Sequence, residues 1–247
     1  MQVVFIPWKG IDSASSRMRC FWIVKYWPEA KVASVENMED ADVVVFQKCF
    51  QPPVAEYVRA LKAKGRKVIW DLCDPDWWVY PQDFSAVVPY LDAVICCNDA
   101  LAKDFVAEFP GQSPKVIPDR QDPAFHPSVK EHKPSEFPIL VWFGWSQNRV
   151  ALYSAFDLLE KIWAHGRRFK LLILDEDPNT KLNWFNFPVL HQQWNLERFH
   201  KDLLSADIAL LPRYPGPRGL LKSDNKKATA MWAALPVTEG DALCLAV

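Results

Sequence analysis

The sequence predicts an α/β protein made of two parallel-sheet domains, and three observations carry that expectation. Short, continuous apolar runs such as Val43 to Phe46, Ile139 to Phe143 and Ile208 to Leu211 recur along the chain, as strands covered on both faces do. Helical spacing returns between most of these runs, so the order is strand, helix, strand. Between Pro118 and Pro138 the pattern stops in a polar, proline-rich stretch and then restarts. The expected domains are therefore 1–118 and 139–247, joined by a linker over 119–138.

In the first domain Val3 to Ile6 reads as a strand ended by Pro7, and a helix is expected from Ser15 or Ser16 to Tyr26. Arg17 and Arg19 fall in the first turns of that helix, where cations are disfavoured, which marks a second-rank anion site. Strands follow at Val32 to Val35 and Val43 to Phe46. A helix over Val54 to Lys64 is closed by Gly65, and the next strand is Lys67 to Trp70. After it comes Asp71-Leu72-Cys73-Asp74-Pro75-Asp76-Trp77-Trp78, three carboxylates and two indoles at the carboxyl end of a parallel strand, where doubly wound sheets bind ligands. Each Asp could cap a helix or act as a base, and both readings stay open. The stretch is expected to line a ligand site and not to pack into the core. Ala93 to Cys96, the helix Asp99 to Glu108 and Val116 to Pro118 complete the domain.

The second domain starts with the strand Ile139 to Phe143, a turn over Gly144 to Gln147 with Ser146 as N-cap, and a helix over Asn148 to His165. That turn is expected to offer free amides to an anion. Lys170 to Leu174, Val189-Leu190 and the helix Leu196 to Leu204 lead into the most informative stretch, Leu203 to Gly240. There the strand Ile208 to Leu211 is cut off by Pro212, Pro215 and Pro217, and a helix is expected from Ser223. Lys222, Lys226 and Lys227 sit at its start, with Asn225 between. Either this is a solvated, lysine-rich helix start or it holds an anion such as phosphate. A P-loop is excluded because Leu221 stands where a glycine must precede the lysine, and the dinucleotide glycine fingerprint is also absent. Pro236 to Thr238 is the last expected strand.

Composition limits the function classes. The 247 residues are 50% hydrophobic and 24% charged, ordinary for a globular protein, and the net charge of −1 does not favour nucleic acid as a partner. No run approaches the ~18 apolar residues of a membrane span, and Met1 to Phe5 lacks the basic flank of a secretion signal. A cytoplasmic location is expected. The six cysteines (20, 49, 73, 96, 97 and 244) show no metal spacing and read as reduced, mostly buried thiols. Neither a metal nor another cofactor is expected.

Three stretches resemble the GT-B glycosyltransferases, in particular the group-1 type that uses nucleotide-sugar donors. Lys222-Ser223-Asp224-Asn225-Lys226 with Ala230 to Val237 is similar to the donor-site helix and the Pro-Val strand after it. Val116 to Asp119 with Phe125-His126-Pro127 resembles the interdomain segment, and Val141 to Trp145 the first donor-domain strand. Ser15 to Arg19 is similar to a first-helix motif of some members. The pattern departs from the family at Leu221 and Thr229, which stand where a pair of Glu is usual, and at Ala234, where glycine is common.

The resemblance implies two Rossmann-like domains facing a cleft, the second small or incomplete because the chain ends soon after Pro236. It implies metal-independent transfer from a nucleoside-diphosphate sugar to an unknown glycan, lipid-linked or other acceptor. Ser146, Asn148, Lys222, Ser223, Asn225 and Lys226 would bind the donor, and Lys222 would also stabilise the leaving diphosphate. Arg17, Arg19, Trp77 and Trp78 would lie on the acceptor or phosphate side, with Asp74 as the base. The alternatives are a non-catalytic module that binds a nucleotide sugar or polymer, and a phage-type DNA glycosyltransferase.

Overall fold

The computed structural model describes residues 1–38, 40–49, 53–177, 179, 182 and 185–238; Cys244 lies outside them. The chain divides into two compact units. Met1–Arg120 forms the first together with Leu221–Ser223, and residues from Gln121 to Leu220 and from Asp224 onward form the second. Residues 121–138 thus group with the second unit.

The first unit holds β1 (Val3–Pro7), β2 (Ala30–Val32), β3 (Val43–Gln47), β4 (Lys67–Leu72), β5 (Ala93–Cys96) and β6 (Lys115–Val116). They pair in parallel in the order β2-β1-β3-β4-β5-β6. Because strand side chains alternate between faces, the unbroken Val3-Val4-Phe5-Ile6 supplies both cores. Val4 and Ile6 join Val44, Phe46, Val68 and Trp70 on one face, whereas Val3 and Phe5 join Val45 and Cys20 on the other. Each large apolar side chain so buried contributes about 1.5–3 kcal/mol.

The second unit holds β7 (Ile139–Phe143), β8 (Lys170–Asp175), β9 (Val189–Gln193), β10 (Ile208–Leu210) and β11 (Val237–Thr238), again all parallel, in the order β11-β10-β7-β8-β9. Leu140 and Trp142 face one core with Leu171 and Ile173; Val141 and Phe143 face the other with Leu172 and Leu174.

The helices differ from the expectation in instructive ways. Pro217–Leu221 is helical where the sequence reading expects a loop, and Pro81–Val87 is a helix in a stretch for which it makes no assignment. In each, the proline opens the helix, where its missing N–H costs nothing and its fixed φ already suits the turn. The helix expected from Ser223 begins at Asn225, with Asp224 as N-cap, and ends at Trp232. The helix over 14–26 contains a π turn at Arg17–Phe21. Among the described residues no helix is long and apolar enough to cross a membrane.

Candidate functional site

In the second sheet the strand order reverses at β7, with β8 and β9 on one side and β10 and β11 on the other. Ligands of doubly wound sheets bind at the carboxyl end of such a strand. Lys226, the second residue of the helix Asn225–Trp232, brings its ammonium there, 4.8 Å from the ring centroid of buried Trp142 on β7. Gly144 follows β7 directly, and a Cβ on it would collide with Lys226 Nζ and lie 3.0 Å from Lys226 Cε. The missing side chain is what lets the lysine reach the strand end.

In the turn after β7 the amides of Gly144, Ser146 and Asn148, expected to be free for an anion, are taken by protein groups. Gly144 N–H donates to Leu174 O at 3.1 Å. Ser146 N–H donates to both carboxylate oxygens of Glu176, at 3.1 and 2.9 Å, and the Ser146 hydroxyl donates to Oε1 at 2.5 Å. Glu176 therefore holds the groups assigned to the donor at Ser146. Half-buried Asn148 closes a 3-10 turn through its N–H on Trp145 O at 2.8 Å. Beside it, Arg149 Nε and Nη2 grip the fully buried Asp175 at 2.6 and 2.7 Å, and His191 Nε2 meets the same carboxylate at 2.8 Å. This buried lattice joins the end of β8 and the middle of β9 to the helix that follows the turn, Arg149–Tyr153.

The first unit corrects several assignments. Arg19 is buried, with Nε 2.7 Å from Asp71 Oδ1 and Nη1 2.7 Å from Asp119 Oδ1. Burial opposes its charge, but the two carboxylates outweigh it and raise its pKa. Arg17 turns back on its own loop, donating to Ile11 O at 2.9 Å and Asp12 O at 3.1 Å, and burial lowers its pKa to about 10 against the pull of Asp12. Both arginines are thus engaged by protein groups and are not presented to a phosphate. Trp77 is 1% exposed and packs edge-on against Phe84 and Phe105 in the core, which removes it from the acceptor side. Trp78 is 44% exposed, its indole N–H tied to Asp104 Oδ2 at 2.9 Å.

Asp74 is bound to two lysines: Lys48 Nζ at 2.6 Å from Oδ2 and Lys222 Nζ at 3.1 Å from Oδ1. Burial alone would raise its pKa, but Lys48 and Lys222 hold it below the usual carboxylate range. A carboxylate so stabilised as the anion is a weak proton acceptor, so its geometry suits an ion-pair partner and not the expected base. Lys48, which the sequence reading passed over, is buried in a left-handed conformation, φ 57°. Asn98 was also passed over. Its side-chain oxygen caps the helix Asp99–Glu108 through Leu101 N–H at 2.8 Å, while Nδ2 donates to Leu221 O and Lys222 O at 3.2 and 3.1 Å.

No family model matches the chain, and no curated protein matches it in sequence. Solved structures do. HepE of Anabaena, in complex with UDP, superposes with a TM-score of 0.67 at 13% identity over 100% of this chain and 83% of its own. The lipopolysaccharide outer core galactosyltransferase WaaB, in its apo form, follows at 0.59 and 14%, over 96% of this chain and 80% of its own. TarM aligns at 0.56 and 14%, over 82% of this chain and 43% of its own. Together with the two parallel sheets, these likenesses give the chain a GT-B fold.

Proposed function

We propose that the chain is a glycosyltransferase that moves a sugar from a nucleoside-diphosphate sugar to an acceptor hydroxyl without a metal. The observation that carries this reading is Lys226 lodged over Trp142 at the β7 switch point, with Gly144 making its room, in a GT-B fold. In this reading Asn225 and Lys226, with Lys222 and Ser223 just before them in the chain, meet the diphosphate. As the glycosidic bond breaks, negative charge grows on the leaving oxygen, and the lysine ammonium stabilises it where other enzymes use a metal ion. Trp78 stays a candidate for the acceptor side, the acceptor being a glycan, a lipid-linked or another hydroxyl compound. The five described cysteines are free thiols, which suits the cytoplasmic location we assign.

A second reading has its own observation. Thr229 is buried, and its hydroxyl donates back to Asn225 O at 2.7 Å, while Leu221 is buried in the first core. Neither position of the usual acidic pair presents a polar group outward, which favours a module that binds a nucleotide sugar without turning it over.

Calorimetric titration with nucleoside diphosphates and a donor-turnover assay separate the two. Each charge-assisted contact contributes about 1.5–3 kcal/mol, so Lys226→Ala weakens binding roughly tenfold or more. Turnover resists EDTA. Unchanged affinity in Lys226→Ala overturns the reading; binding without turnover across a broad donor and acceptor panel, DNA included, selects the module.

A further inference from the structure

We propose that Lys48 is a positioning residue for the donor diphosphate, acting through Asp74 on Lys222. The proposal rests on the reading above, in which Lys222 meets that diphosphate. Within the first unit the three side chains form a row: Lys48 Nζ lies 2.6 Å from Asp74 Oδ2, and Asp74 Oδ1 lies 3.1 Å from Lys222 Nζ. Lys48 also reaches Asp76 Oδ2 at 3.4 Å and lies 5.0 Å from the Trp8 ring centroid.

Charge explains why Lys48 matters. Asp74 lies beside a cation that has to attract a doubly charged ligand. Lys48 cancels that negative charge from the side away from Lys222, so the Lys222 ammonium keeps an effective charge for phosphate. Asn98 fixes the backbone of Leu221 and Lys222 through their carbonyls, at 3.2 and 3.1 Å, so the row has a rigid end. The left-handed backbone at Lys48, φ 57°, is a second and independent sign. A residue other than glycine holds that conformation at a cost, and such strain gathers where a side chain must be aimed. Lys48 stays charged at this depth: burial would lower its pKa, yet Cys73, Asp74 and Asp76 raise it.

The test is isothermal titration of the full chain with UDP, GDP, CDP, ADP and dTDP, with a thermal melt of every variant. Lys48→Met leaves Asp74 uncompensated beside Lys222 and weakens the preferred diphosphate roughly tenfold at the separations involved. Lys48→Arg stays within about threefold, because the charge is kept. The double variant Lys48→Met/Asp74→Asn removes both charges together and returns affinity to within about twofold of the parent; a purely packing role for Lys48 leaves the double as weak as the single. If Lys48→Met does not fold, the double variant and Lys48→Arg still decide, since both must bind like the parent. A Lys48→Met protein with parental affinity, or a double variant with none of it restored, overturns the proposal while leaving the donor reading in place. A parent chain that binds none of the five diphosphates ends both.

Discussion

The two sheets handle cations at their carboxyl ends in different ways. In the first unit Arg19 is buried between Asp71 and Asp119, each within 2.7 Å, whereas in the second Lys226 rests on the face of an indole beside a glycine. A cation locked between carboxylates has its charge used up inside the protein. A contact with an aromatic ring contributes about 0.5–1 kcal/mol and, unlike a carboxylate, does not neutralise the cation. Arginine near a helix start after a strand is therefore a poor guide to ligand binding until its carboxylates are located.

The largest effect that tests this contrast is on stability. Arg19→Met leaves Asp71 buried without its guanidinium, and loss of one partner of a buried pair costs about 3–5 kcal/mol. Urea unfolding measures it. A loss below about 1 kcal/mol means that Arg19 is not structural and erases the contrast. The second effect is on binding. In Gly144→Ala the new methyl drives the Lys226 ammonium from the end of β7 and also places an L side chain at φ 157°, where the backbone is strained. Nucleoside-diphosphate affinity falls roughly tenfold, and the melting temperature falls with the backbone strain; parental affinity would place the ligand elsewhere.

The smallest effect concerns a position where the family pattern and the backbone agree against the residue present. Ala234 has φ 58°, left-handed, at the place where glycine is common in the group-1 pattern. Ala234→Gly relieves strain of about 1 kcal/mol and raises the melting temperature without altering nucleotide affinity. A drop in stability shows that the Cβ contributes packing that outweighs the strain.

What the sequence made legible was whatever depends on local pattern. β5, β7 and the helices Asp99–Glu108 and Leu196–Leu204 fall where apolar runs and helical spacing put them. Pro217–Leu221 escapes because Pro212, Pro215 and Pro217 read as breaks, while at a first helical position proline is a start. The site was less legible. Nothing local reveals that Arg19 meets carboxylates 52 and 100 positions away, that Glu176 occupies Ser146, or that Lys48 faces Asp74. These pairings are made by strand order, which apolar runs alone do not set.

The grouping of Leu221–Ser223 with the first unit reaches beyond equilibrium. Leu221 is part of the first core, and the Asn98 side chain takes its two carbonyls from Leu221 and Lys222. During synthesis the first sheet emerges complete long before residue 221 does. Its core then carries a gap and Asn98 an unspent amide until the second sheet has nearly been made. The half of the protein that is translated first is thus the half that finishes folding on a late delivery, and a ribosome-bound chain ending near residue 120 should hold its first unit more loosely than the finished protein does.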